Sequence, residues 1–123
     1  MKEMFWVGLG GFVGATARYW LAGWLATRLG AAFPYGTFVI NVSGSFALGL
    51  LMGAVETHAV SPVIRIAVAI GFLGAYTTFS TFTYETLRLV EDGSLLLAIA
   101  NVLGSLVLGF GSAIVGVALG RVL

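Results

Sequence analysis

The sequence predicts an all-α integral membrane protein of four transmembrane helices, the third of them broken. Three observations carry this expectation. Of 123 residues, 59% are hydrophobic and only 9% are charged, against about 25% charged in an ordinary soluble domain. Residues 29–55, 66–84 and 93–120 hold no Asp, Glu, Lys or Arg, and residues 4–27 hold only Arg18. Short turn signals separate these stretches. Crossing a hydrocarbon core of about 30 Å takes roughly 20 apolar residues, so four helices fit, at about Met4–Thr27, Tyr35–Val55, Val63–Leu89 and Leu95–Leu119. No soluble domain is expected beside this single unit, 1–123.

Each element follows from its residues. The first run reads as a span and not a cleaved signal, because Arg18 and Tyr19 interrupt it and it runs too long. Gly30 to Pro34, with its glycine and proline, turns the chain into the second span. Ser61-Pro62 opens the third, and Glu91-Asp92-Gly93 separates it from the fourth. None of the runs shows the apolar/polar alternation of a barrel strand. Small residues recur every four positions: Gly10 and Gly14; Ser45, Gly49 and Gly53; Ser105, Gly109 and Ala113; Gly116 and Gly120. Such faces let membrane helices approach closely. Four short helices are not expected to use all of them internally.

Charge excludes several functions. The net charge of +1 gives no basic excess for nucleic acid. The absence of Cys removes disulfides and thiolate chemistry. His58 is the only histidine, so neither a metal cluster nor a hydrolytic triad can form around it. An enzyme is not expected. Four spans put Lys2, Arg65 and Arg121 on one side, and Arg28 and Arg88 on the other with Arg18 leaning toward them. Orientation follows the Lys/Arg bias, which is nearly absent here. Charge alone fits both a weak single orientation and a chain inserting both ways, whose copies could pair about an axis in the membrane plane.

Polar groups inside a span are costly unless partnered, so they mark candidate sites. On the second span Thr37, Asn41 and Ser45 share one helical face. On the fourth, Asn101, Ser105 and Ser112 do the same. Each set reads either as interhelical glue or as a ligand path. In the third run glycines precede a dense group of hydroxyls and rings, from Gly71 to Tyr84. Gly weakens helices and Thr or Ser offers the backbone alternative bonds. A break is expected near Gly74–Thr78, and freed carbonyls there would suit a small hard cation such as sodium. Phe79 and Phe82 then share a face. No carboxylate lies well inside spans one, two or four, which disfavours a proton relay. Amides, hydroxyls and ring edges, whose rim is positive, suit a small anion.

These residues resemble the CrcB/Fluc family of fluoride channels over nearly the whole chain. The stretch Gly10-Gly11-Phe12-Val13-Gly14-Ala15-Thr16-Ala17-Arg18-Tyr19 is similar to the family's GGxxGAxxRY. Gly36-Thr37, followed by Asn41, Gly44 and Phe46, resembles its GTxxxNxxGxF. Gly71-Phe72-Leu73-Gly74 with Thr77-Thr78-Phe79-Ser80-Thr81-Phe82 resembles its GFxGxxTTFSTF. The resemblance implies an antiparallel, dual-topology homodimer in the cytoplasmic (inner) membrane, with two fluoride pathways at the interface. It implies that Asn41 donates to the ion and that Phe79 and Phe82 offer ring edges. Ser80, Thr81 and Thr37 match further polar positions, and Arg18 matches an arginine toward a water-filled vestibule. Asn101 and Ser105 stand where relatives carry pathway groups, with Asn in place of a frequent Tyr. A structural sodium ion, Na+, is implied at the dimer centre, on the backbone carbonyls of Gly74 and Thr77.

The function expected is passive, fluoride-selective conduction that lowers cellular fluoride. The main alternative is a small proton-coupled multidrug-type transporter. It needs a membrane-embedded Glu in the first span, where only Glu3 stands, at the edge. A non-conducting packing subunit of a larger complex is the other.

Overall fold

A computed structural model describes all 123 residues, and helix is the only regular secondary structure, without strands. Helix α1 spans Lys2–Leu29 and α2 spans Tyr35–Thr57. The third run comprises α3 (Pro62–Arg65), a π-helical stretch Ile66–Leu73, α4 (Gly74–Tyr76) and α5 (Phe79–Glu91). Helix α6 spans Leu95–Val122. Helices satisfy their own backbone groups, as hydrocarbon demands. Tyr35–Thr57, Pro62–Glu91 and Leu95–Val122 are each long and apolar enough to cross a membrane. Helix α1 has 28 residues, about 42 Å at 1.5 Å per residue, and owes its lower apolarity to charges that include Arg18 at mid-helix.

The connections follow from a few residues. Gly30 ends α1 with φ 81° and Gly93 turns the chain before α6 with φ 79°; both angles favour glycine. Pro62 occupies the first turn of α3, where its missing N–H costs nothing.

Two seams organise the bundle. Helix α2 packs chiefly on α6, and α1 chiefly on the π-helical stretch. A Cβ on Gly49 or Gly53 would meet the backbone of Ala113 or Val117. One on Gly116 or Gly120 would meet the carbonyls of Phe46 or Leu50. On the other seam, a Cβ on Gly10 or Gly14 would strike the Ala67 or Phe72 carbonyl, and one on Gly71 would lie 2.7 Å from the Val7 carbonyl. Nearly every small-residue face singled out in the sequence is therefore consumed inside the chain. Only the Ser105–Gly109 face is loosely used, a Cβ on Gly109 meeting nothing nearer than Ser45 Oγ at 3.8 Å; the others are taken up because the helices run backbone to backbone along both seams.

The same contacts give direction. Position numbers rise together along α2 and α6, from Phe38 beside Gly104 to Leu50 beside Gly120. The first and third runs rise together too, from Gly10 beside Ala67 to Gly14 beside Phe72. Each seam joins parallel helices, as expected when successive helices alternate in direction. Lys2, Glu56, Arg65 and Arg121 thus share one end, where Arg121 Nε donates to Glu56 Oε2 at 2.7 Å. Arg28, Arg88, Glu91 and Asp92 share the other, where Arg88 pairs with Glu91 at 3.1 Å and Asp92 at 3.8 Å.

Candidate functional site

The site is built around two residues that are not helical. Thr77 (φ −80°, ψ 157°) and Thr78 (φ −153°, ψ 119°) have extended backbone between α4 and α5. In a continuous helix the Thr78 amide would serve the Gly74 carbonyl, and the Thr81 amide the Thr77 carbonyl. Here the Thr78 amide donates to Asn41 Oδ1 at 2.8 Å. The Thr81 amide donates to the Thr78 hydroxyl at 3.3 Å, which caps α5. No turn, loop or cap bond uses the Gly74 or Thr77 carbonyl.

Asn41 closes the arrangement from the other direction. Its Nδ2 donates to the Thr78 carbonyl at 3.0 Å, so one side chain holds both polar groups of one peptide residue. A carboxamide carries two amide hydrogens and one carbonyl, and one hydrogen of Asn41 remains. Ser45 donates to the Asn41 carbonyl at 2.7 Å and Thr77 to the Leu73 carbonyl at 2.8 Å. The Thr78 hydroxyl donates to Thr81 Oγ1 at 3.0 Å, leaving the Thr81 proton. Ser105 Oγ is buried without a partner. Among these groups, the hydrogens left to give a ligand are therefore those of Asn41, Thr81 and Ser105.

These groups line two adjoining clefts. One, of about 370 Å³, collects Asn41, Ser45, Gly74, Thr77, Phe79, Phe82 and Ser105, with no charged residue on its wall. The Phe79 and Phe82 rings lie 6.0 Å apart, tilted by 43°, and Phe79 is 77% exposed. The other, of about 680 Å³, collects Arg18, Thr37, Thr81 and Glu85. Thr78 lines both. Arg18 forms no ion pair there, since the salt bridges all involve Arg88 or Arg121. Ser80 is exposed and reaches only Thr78, at 3.5 Å. Asn101 lines neither cleft and is 1% exposed.

Sequence reasoning passed over Thr78 as a site residue. Its signal was an N-cap residue type standing before a helical run, with a second hydroxyl three positions on. Glu85, near the end of the third span, was passed over as well. Nothing in its residue type announces a place in the cleft that also holds Arg18.

Residues 5–117 match the family described as CrcB-like protein, Camphor Resistance (CrcB). The curated relatives include a fluoride-specific ion channel FluC of Geotalea uraniireducens, 51% identical over 85% of this chain and 86% of the relative. A second, from Citrifermentans bemidjiense, is 44% identical over the full length of both. A third, from Acidobacterium capsulatum, is 48% identical over 97% of this chain and 96% of the relative. The family is one of channels and not of enzymes. The apolar spans and a match over nearly the whole length agree: the chain is a multi-pass membrane protein and belongs to the CrcB family.

Proposed function

We propose that this chain is a fluoride-selective channel, conducting the ion passively and lowering its level in the cell. One observation carries the reading. An uncharged cleft places two phenylalanine rings beside amide and hydroxyl hydrogens, next to a second cleft that holds an unpaired arginine. A small anion loses its water only where fixed donors replace it. Asn41, Thr81 and Ser105 have the hydrogens to do so, and ring edges add positive potential without adding charge. Arg18 draws anions into the wider cleft, and Thr78 stands where the two clefts meet. A ring wall and fixed donors fit an anion of fluoride's size better than chloride.

The functional unit in this reading is an antiparallel homodimer of four-span subunits in the inner membrane. Near-equal basic charge at the two ends supports insertion both ways. Phe79, 77% exposed on a single copy, supports a partner across the cleft. The carbonyls of Gly74 and Thr77, whose helical donors are diverted to Asn41 and Thr78, fit a sodium site. Hard cations take oxygen ligands of this kind, and bound sodium would supply fixed positive charge at the dimer centre.

The test is ion-selective electrode recording of liposomes containing the purified protein. Fluoride efflux without chloride efflux is expected. Equal fluxes, or none, would sink the reading. Replacing sodium throughout by a large organic cation is expected to lower fluoride flux and dimer stability together. Unchanged flux and stability would remove sodium from the account.

A further inference from the structure

Asn101 is the most buried polar residue of the chain, at 1% exposure, yet it lines neither cleft. Its Nδ2 donates to Thr86 Oγ1 at 2.9 Å. Thr86 Oγ1 in turn donates to the Phe82 carbonyl at 2.8 Å. The order of donors is fixed by counting hydrogens. Thr86 has one hydroxyl proton and gives it to Phe82, so its lone pair needs a donor, and only the NH2 side of Asn101 can supply one. The other side, Asn101 Oδ1, is buried without a partner. A bare acceptor repels an anion. Asn101 is thus ill suited to touch the conducted ion and well suited to hold something else.

We propose that Asn101 and Thr86 are positioning residues that fix Phe82 through its backbone. This rests on the reading of Phe82 as a wall of the anion path. Helix α5 has a single buried residue, Leu89, and packs only lightly on α2 and α6. Apolar contact therefore holds it weakly. Two asparagines compensate. Asn41, from α2, grips Thr78 just before Phe79. Asn101, from α6, grips Thr86 one turn after Phe82. The two rings lie between these pins, so α5 can neither slide nor rotate without breaking one. The pin at Thr86 sits outside the clefts, where it orders the rings without competing for the ion.

The experiment uses the full chain with 4-fluorophenylalanine in place of Phe82, read by 19F NMR in detergent, together with liposome fluoride and chloride flux. Thr86→Val removes the hydroxyl at similar shape, and Thr86→Ser keeps it. A single sharp 19F resonance is expected for the parent and for Thr86→Ser. A broadened or split one is expected for Thr86→Val and for Asn101→Leu, with fluoride flux lower by roughly tenfold or more, as misplacement by about an ångström can cause. The double variant is expected to be no worse than either single, because both cut one relay. If Thr86→Val is not recovered folded, Asn101→Ala takes its place. An unchanged resonance and flux, or equal damage from Thr86→Ser, would overturn the proposal. A parent that conducts nothing would instead refute the channel reading, while the 19F result would still judge the positioning role.

Discussion

The α2–α6 seam and the segment from Thr77 to Glu91 solve the same problem by opposite means. Along the seam, glycines bring backbones together and dispersion contacts do the holding. Around Thr78 the backbone is opened, and side-chain hydrogen bonds replace what packing and helical bonding no longer provide. The first solution tolerates no added atom. The second leaves polar groups and an exposed ring at the protein surface. A rigid, chemically mute frame thus carries a polar, lightly packed working segment.

The sharpest way to break the frame is Gly116→Val. Its added carbons meet the Phe46 carbonyl in a seam with no free space. Overpacking costs about 1–3 kcal/mol even in cores able to adjust, and here the obstacle is backbone. Loss of folded protein on size-exclusion chromatography is expected. Survival with a normal profile would mean the seam is slack.

Asn41→Leu attacks the working segment instead. It strips the Thr78 amide and carbonyl of their partners at about 1–3 kcal/mol for each unsatisfied group. A clear fall in melting temperature and loss of fluoride flux are expected, with the seams intact. Asn41→Asp keeps an acceptor for the Thr78 amide but gives the Thr78 carbonyl no donor, so its melting temperature should lie between the two. Equal stability of all three would show that the hydrogen bonds to Thr78 are ornamental.

Phe79→Ile separates conduction from stability. The side chain is mostly exposed in the single chain, so its removal should barely change the fold. The substitution removes the Phe79–Phe82 ring pair, worth about 0.5–1.5 kcal/mol, and should slow fluoride by up to about tenfold. A large stability loss with normal flux would assign Phe79 to packing. Glu56→Gln, at the exposed ion pair that joins α2 to α6 at one end of the seam, is expected to change neither flux nor melting temperature, because such surface pairs contribute little.

Much of this contrast was legible in the sequence. The helices Tyr35–Thr57 and Leu95–Val122 begin at the residues expected and overrun the expected ends by a few positions, since a helix continues past the hydrocarbon into the interface. Charge-free length is a direct physical demand of the bilayer, so it reads plainly. Most residues marked out by amide, hydroxyl and ring chemistry converge on the two clefts; Ser80, Asn101 and Ser112 do not. The π-helical stretch Ile66–Leu73 was not legible, because its apolar residues would serve an α-helix equally well. Nor was the use made of Asn41. A carboxamide looks the same in sequence whether it serves an ion or the Thr78 backbone, and only the distances to Thr78 N and O distinguish them. The glycine faces were legible only in part for a related reason: spacing shows that a close approach is possible, and not to which helix.

The placement of the charged residues has a consequence for how the chain is made. With Lys2, Arg65 and Arg121 at one end and Arg28 and Arg88 at the other, the Lys/Arg bias that sets orientation is nearly absent. In the antiparallel dimer proposed above, topology would then behave like a coin weighted by single residues. One lysine added beside Gly93, or one arginine lost from the Arg65 loop, would tilt a whole population of chains toward one face. Such a change would alter no contact within the folded molecule. Its effect would be felt entirely during biogenesis, as a shortage of copies facing the other way.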